Sequence, residues 1–209
     1  MIERQTTYRI GLLAVLAATL LTADPAFAHH VMGGRTPSTF GEGLLSGLGH
    51  PVIGIDHLAF LAAVGVVTGL AGLNLLLPAL FVAVSAIGVA LHVMGVNIPG
   101  AEVMVASSVI LAGVLVARGA VSSTALWAVL FAAAGLVHGY AFGESIFGAE
   151  TSPLAAYLIG LVVIQSALAI GIAALSRRLA ADAIGPRLAG AAIAGVGVAV
   201  LVQQFVPAG

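Results

Sequence analysis

Long apolar blocks, separated by short connections rich in glycine, proline and polar residues, dominate this 209-residue chain. They lie near 51–70, 75–95, 101–118, 123–142, 153–176 and 187–206, each close to the roughly 20 residues that cross a hydrocarbon core as a helix. A further apolar run, Ile10 to Leu21, follows Arg4 and Arg9 and leads into Ala26-Phe27-Ala28. It is too short to span, and the small residues at the two positions a signal peptidase reads predict cleavage after Ala28. A short polar segment from Gly33 to Gly43 precedes the first span. The predicted fold is an all-α membrane protein: a signal peptide over 1–28, then a single domain over 29–209 made of six transmembrane helices.

Charge gives the spans a direction. Arg118, Arg177, Arg178 and Arg187 fall at connections on one side, and Glu102, Glu144 and Glu150 fall on the other. Cytoplasmic loops carry the excess of Lys and Arg, so the arginine side is cytoplasmic and Arg35, in the exported segment, is the exception. The expectation is a bacterial inner-membrane protein with both mature ends in the periplasm, beginning at His29-His30.

Composition excludes several function classes. Hydrophobic residues make up 61% of the chain and charged residues 7%, against roughly 25% charged in soluble domains. The 27 glycines suit close helix packing in lipid, where small residues let backbones approach. The net charge of −1 leaves no basic patch for nucleic acid, and no GxxxxGK[ST] pattern offers a phosphate cradle for ATP. With no cysteine, disulfides and thiolate ligands are excluded. Any metal is then held by nitrogen, oxygen or thioether.

The candidate chemistry is histidine and carboxylate. His29, His30, His50, His57, His92 and His138 all fall at or near the periplasmic side, with Asp56, Glu102 and Glu144 at the same level. Ionisable side chains inside a span are costly and mark function by default, and imidazole with carboxylate suits nickel, zinc, cobalt or copper. His50 and His57 are seven apart, two turns of a regular helix, and Asp56 falls on the same stripe. Pro51 and Gly54 make that turn irregular. At the new amino end, His29 would present an α-amine beside an imidazole, a bidentate chelate for copper or nickel. Below this mouth, Thr68, Ser107, Ser108, Gln165 and Ser166 are the polar positions left for an ion's descent.

Three segments resemble one family in order. His50-Pro51-Val52-Ile53-Gly54-Ile55-Asp56-His57, followed by Ala63-Val64-Gly65, is similar to the first signature of the HupE/UreJ proteins. Ile98-Pro99-Gly100-Ala101-Glu102, continued by Ala106-Ser107, resembles their third-span opening, and His138-Gly139-Tyr140-Ala141-Phe142-Gly143-Glu144 resembles their HGxAxGxE-like segment. Many members carry a second histidine near the place of Phe142. The family is associated with nickel uptake for hydrogenase and urease maturation. Carried across, the resemblance implies His50, Asp56, His57, Glu102, His138 and Glu144 as metal residues, while His92 matches no signature.

The expected function is a secondary permease moving a divalent transition metal, nickel first and cobalt or copper after it, from periplasm to cytoplasm. The metal is substrate, and no organic cofactor is implied. The alternative is a non-transporting membrane metal-binding accessory protein for hydrogenase or urease maturation. A metalloenzyme using His50, His57 and His138 with Glu144 as base lacks an HExxH motif and an evident nucleophile.

Overall fold

The computed structural model describes residues 32–119, 123–179 and 183–206; the expected signal peptide, His29, His30 and Asp182 lie outside the described residues. The described residues form seven helices and no strand: α1 Phe40–Ile53, α2 Ile55–Leu70, α3 Leu76–Val93, α4 Ala101–Ala117, α5 Thr124–Glu144, α6 Thr151–Ser176 and α7 Ile184–Gln203. Four of them (α3, α5, α6 and α7) are long and apolar enough to cross a membrane, and α1 with α2 makes a fifth if the bent pair counts as one span. The 17-residue α4 is apolar but shorter. Leu76, Val129, Leu175 and Leu188 are exposed on the outside of the bundle, as lipid-facing residues of a multi-pass protein are.

The first apolar block differs most from the sequence expectation. Helix begins at Phe40, inside the segment read as polar, because Thr39 caps it. Its Oγ1 accepts from the Glu42 amide at 3.2 Å, and Glu42 Oε2 accepts from the amide and hydroxyl of Ser38 at 2.8 and 2.9 Å. This is a close variant of a capping box. The helix then bends by 76° at Gly54. Pro51 supplies no N–H to the ladder, and Gly54 leaves helical geometry with ψ 102°. The ladder restarts when the Leu58 amide donates to the Gly54 carbonyl at 2.9 Å.

Glycine seams join the helices. Gly135, Gly139 and Gly143 recur every fourth residue on α5, and with Gly88 they bring α3 and α5 into backbone contact. A methyl added at Gly139 would overlap the Ser85 carbonyl. Gly43 and Gly47 admit α6 at Pro153 and Tyr157, Gly65 and Gly69 admit its later turns, and Gly113 and Gly190 close α4 on α7. In lipid such close approach replaces the hydrophobic drive as the source of helix association. Helix α2 packs on α1, α3, α4, α6 and α7, so its Phe60, Leu61 and Val64 are fully buried. Ahead of α4, Gly100 takes φ +73° as N-cap, a left-handed conformation that costs glycine nothing.

These contacts also separate two ends. Gly43 meets Pro153 at the start of α6, whereas Gly69 meets Ser176 and Arg177 at its finish. Gly190, in the early turns of α7, likewise meets Ala117 at the finish of α4, next to its cap Arg118.

Candidate metal-binding site

The break in the first apolar block organises the site. Helix α1 ends with His50 in its last turn, and α2 starts with Asp56 and His57 in its first. Gly54 offers α2 no capping side chain, so Asp56 Oδ1 accepts from the His57 amide at 2.8 Å. A carboxylate in that turn also complements the positive end of the helix dipole. From α5, His138 comes across to the same place. His50, Asp56, His57 and His138 are each at most 1% exposed.

The three imidazoles adjoin one another despite the bend. The rings of His50 and His57 have centroids 5.5 Å apart, and those of His57 and His138 are 5.0 Å apart. Phe142 packs on His50 and His57 at 5.1 and 4.3 Å, and Phe60 packs on His138 at 4.7 Å. Phe142 therefore walls the cluster with a ring that offers no ligand atom.

The hydrogen-bond pattern assigns tautomers. Ser108 Oγ donates to the Val105 carbonyl at 2.7 Å, which uses its only hydrogen. His138 Nε2, at 2.9 Å from that oxygen, must then donate to it. A neutral imidazole has one N–H, so His138 Nδ1 is an acceptor. His57 Nδ1, 2.8 Å away, supplies the proton, and the His57 lone pair lies on Nε2.

His50 is held by residues that the sequence did not single out. Its Nδ1 lies 2.8 Å from Ser145 Oγ and 3.0 Å from the Tyr157 hydroxyl. Tyr157 donates to the Phe142 carbonyl at 2.6 Å, satisfying an acceptor left over where α5 runs out. Partners of this kind orient metal-binding imidazoles. Ser145 directly follows the HGxAxGxE-like segment, a sequence signal of sorts, but Tyr157 sits on another helix and no local pattern points to it.

The other expected ligands stand apart in character. His92, in the last turn of α3, is half-buried against Tyr140 and Phe147, at 4.5 and 5.8 Å. Glu102 is half-buried in the first turn of α4, and Glu144 is exposed at the end of α5. Among the described residues, no three histidine or carboxylate side chains converge in a geometry ready to hold a metal ion. Within the cluster, hydrogen bonds tie His57 to His138 and His50 to Ser145 and Tyr157.

Comparison with known proteins agrees with the motifs. The family model described as HupE / UreJ protein matches residues 16–200. Protein HupE of Rhizobium leguminosarum bv. viciae is 32% identical over 184 residues, covering 86% of this chain and 93% of that protein. No solved structure matches. A family match spanning nearly the whole chain, with a relative similar from end to end, makes this protein a member of the HupE/UreJ family.

Proposed function

We propose that this protein is a secondary transporter that carries a divalent transition metal, nickel foremost, from the periplasm to the cytoplasm. The observation that carries the reading is the burial of His50, Asp56, His57 and His138 together at the break of a bent apolar helix. Burying an ionisable or polar group without use costs about 1–3 kcal/mol even when only one hydrogen bond is lost, and discontinuous helices are where transporters build ion sites. Three imidazoles and a carboxylate select for a borderline transition ion over calcium or magnesium. Hydrogen bonds within the cluster keep the site moderate in strength, and conduction requires a site that also releases.

In this reading His50, Asp56, His57 and His138 are the central ligands. Glu102, Glu144 and His92 line the approach, and His29 and His30 capture ions ahead of it. Ligation takes neutral imidazole and ionised carboxylate, so protons compete with the metal for the site. Purified protein reconstituted into vesicles should accumulate ⁶³Ni²⁺ above protein-free vesicles. Binding without accumulation would instead support the accessory role in metalloenzyme maturation.

The proposal includes an inner-membrane location, six spans after a cleaved signal, and both mature ends in the periplasm. The bent α1 and α2 form the first span, α4 the third, and the arginine end faces the cytoplasm. Amino-terminal sequencing of the membrane-extracted protein is expected to start at His29. A start at Met1 would leave Ile10 to Leu21 attached and overturn the cleaved form.

A further inference from the structure

Five polar positions were open as a path beyond the histidines, and the structure sorts them. Thr68 commits its hydroxyl to the Val64 carbonyl of its own helix at 2.7 Å. Ser107 is exposed, and Ser166 is half-buried. Ser108 belongs to the histidine cluster. Gln165 is fully buried and meets a partner that the sequence did not mark, Ser85 of α3, itself 2% exposed.

The pair has one hydrogen-bonding atom to spare. Ser85 Oγ lies 2.8 Å from the Val82 carbonyl and 3.1 Å from the Gln165 amide head. The shorter contact takes the single hydroxyl hydrogen, so Ser85 Oγ faces the amide as an acceptor. The two ends of an amide are distinguished by their partners, and the consistent arrangement turns Nε2 to Ser85 and leaves Oε1 toward the bundle. With the head the other way round, Nε2 finds no hydrogen-bond partner among the described residues. Turning the head puts Oε1 at the place where Nε2 lacks a hydrogen-bond partner, and a membrane bundle does not retain such a buried amide without use.

Position gives that atom its use. The Ser85 carbonyl lies against Gly139, the residue next to His138. Phe81, one turn from Ser85, has its ring 6.1 Å from that of His138. Gln165 is eight residues beyond Tyr157, about 12 Å along α6 at 1.5 Å per residue, toward the end that carries Arg177 and Arg178.

Resting on the transport reading above, we propose that Ser85 and Gln165 form a second station for the metal ion, beside His138 in the bundle. Amide and hydroxyl oxygens receive the ion or its hydration water there. They bind a borderline cation more weakly than imidazole does, so the ion is drawn off the histidines without being trapped.

The test compares full-length Gln165→Leu, Ser85→Ala and His57→Ala with the parent. Equilibrium Ni²⁺ binding in detergent is measured beside the initial rate of ⁶³Ni²⁺ uptake into proteoliposomes. Gln165→Leu is expected to lower the uptake rate about tenfold, and Ser85→Ala by less, while both keep the parent Kd within about twofold, a split between binding and passage. Uptake at the parent rate in both variants overturns the proposal. So does loss of binding in step with uptake, since the pair would then act through the histidines. Ser85→Ala, which removes a single hydroxyl, decides the case if Gln165→Leu fails to insert. Undiminished uptake by His57→Ala would move the site away from the histidines and bring down this station with it, whereas absence of uptake by the parent would bring down the transport reading itself.

Discussion

Replacing His57 with Ala is expected to reduce ⁶³Ni²⁺ uptake to the level of protein-free vesicles while the protein still reaches the membrane in parent amounts. His57 is the joint of the cluster: it hydrogen-bonds His138 at 2.8 Å, its ring adjoins that of His50, and its amide is capped by Asp56. Its loss removes one of the proposed ligands and leaves His138 Nδ1 without its donor. Losing a partner that merely orients a ligand costs about 10–100-fold in metal affinity, so deleting the ligand should weaken Ni²⁺ binding by about 100-fold or more. Tyr157→Phe, which removes only an orienting partner, should fall within about 10–100-fold, because His50 keeps Ser145 at 2.8 Å. Parent-like uptake by His57→Ala would move the site elsewhere, with His92, Glu102 and Glu144 the residues to examine next.

The second large effect is on assembly of the bundle. Gly139→Ala places a methyl against the Ser85 backbone, and backbone cannot turn aside as a flexible side chain can. Helices α3 and α5 have to separate, which loosens the seam that holds His138. Overpacking of this kind costs about 1–3 kcal/mol. The expected result is a lower unfolding midpoint and a shorter active lifetime in detergent. Gly171→Ala is the matched control, since nothing lies within 4 Å of a methyl there. Replacing an exposed helical glycine with Ala gains up to about 1 kcal/mol of helix propensity, so this variant should be neutral or slightly stabilised. Equal stability of Gly139→Ala and the parent would show that the α3–α5 seam is not closely packed.

The glycines also mark where the sequence stops being informative. Their number announced close helix packing, but Gly139 and Gly171 look alike in the chain and differ wholly in the bundle. One faces backbone and the other faces outward, because a seam depends on which helix comes to rest opposite. Likewise Ser85 and Tyr157 read as ordinary residues of apolar blocks, and only the partners brought from α6 and α5 give them roles.

The sequence by itself determined the helical, membrane-embedded class. A chain with so few charges has to satisfy its backbone internally and meet lipid with apolar side chains. It also singled out His50, Asp56, His57 and His138, ionisable groups in apolar surroundings within motifs that resemble the family's, and the structure buries all four. The tertiary structure decided how they meet. On a straight helix His50 and His57 would share a stripe, but Pro51 and Gly54 break it by 76°, and the two rings adjoin because α5 and α6 pack across the break. It decided too that Glu144 is exposed and Glu102 half-buried while the histidines are sealed. Spacing along a chain fixes direction around one helix axis, whereas burial and ligand contact depend on the packing of several.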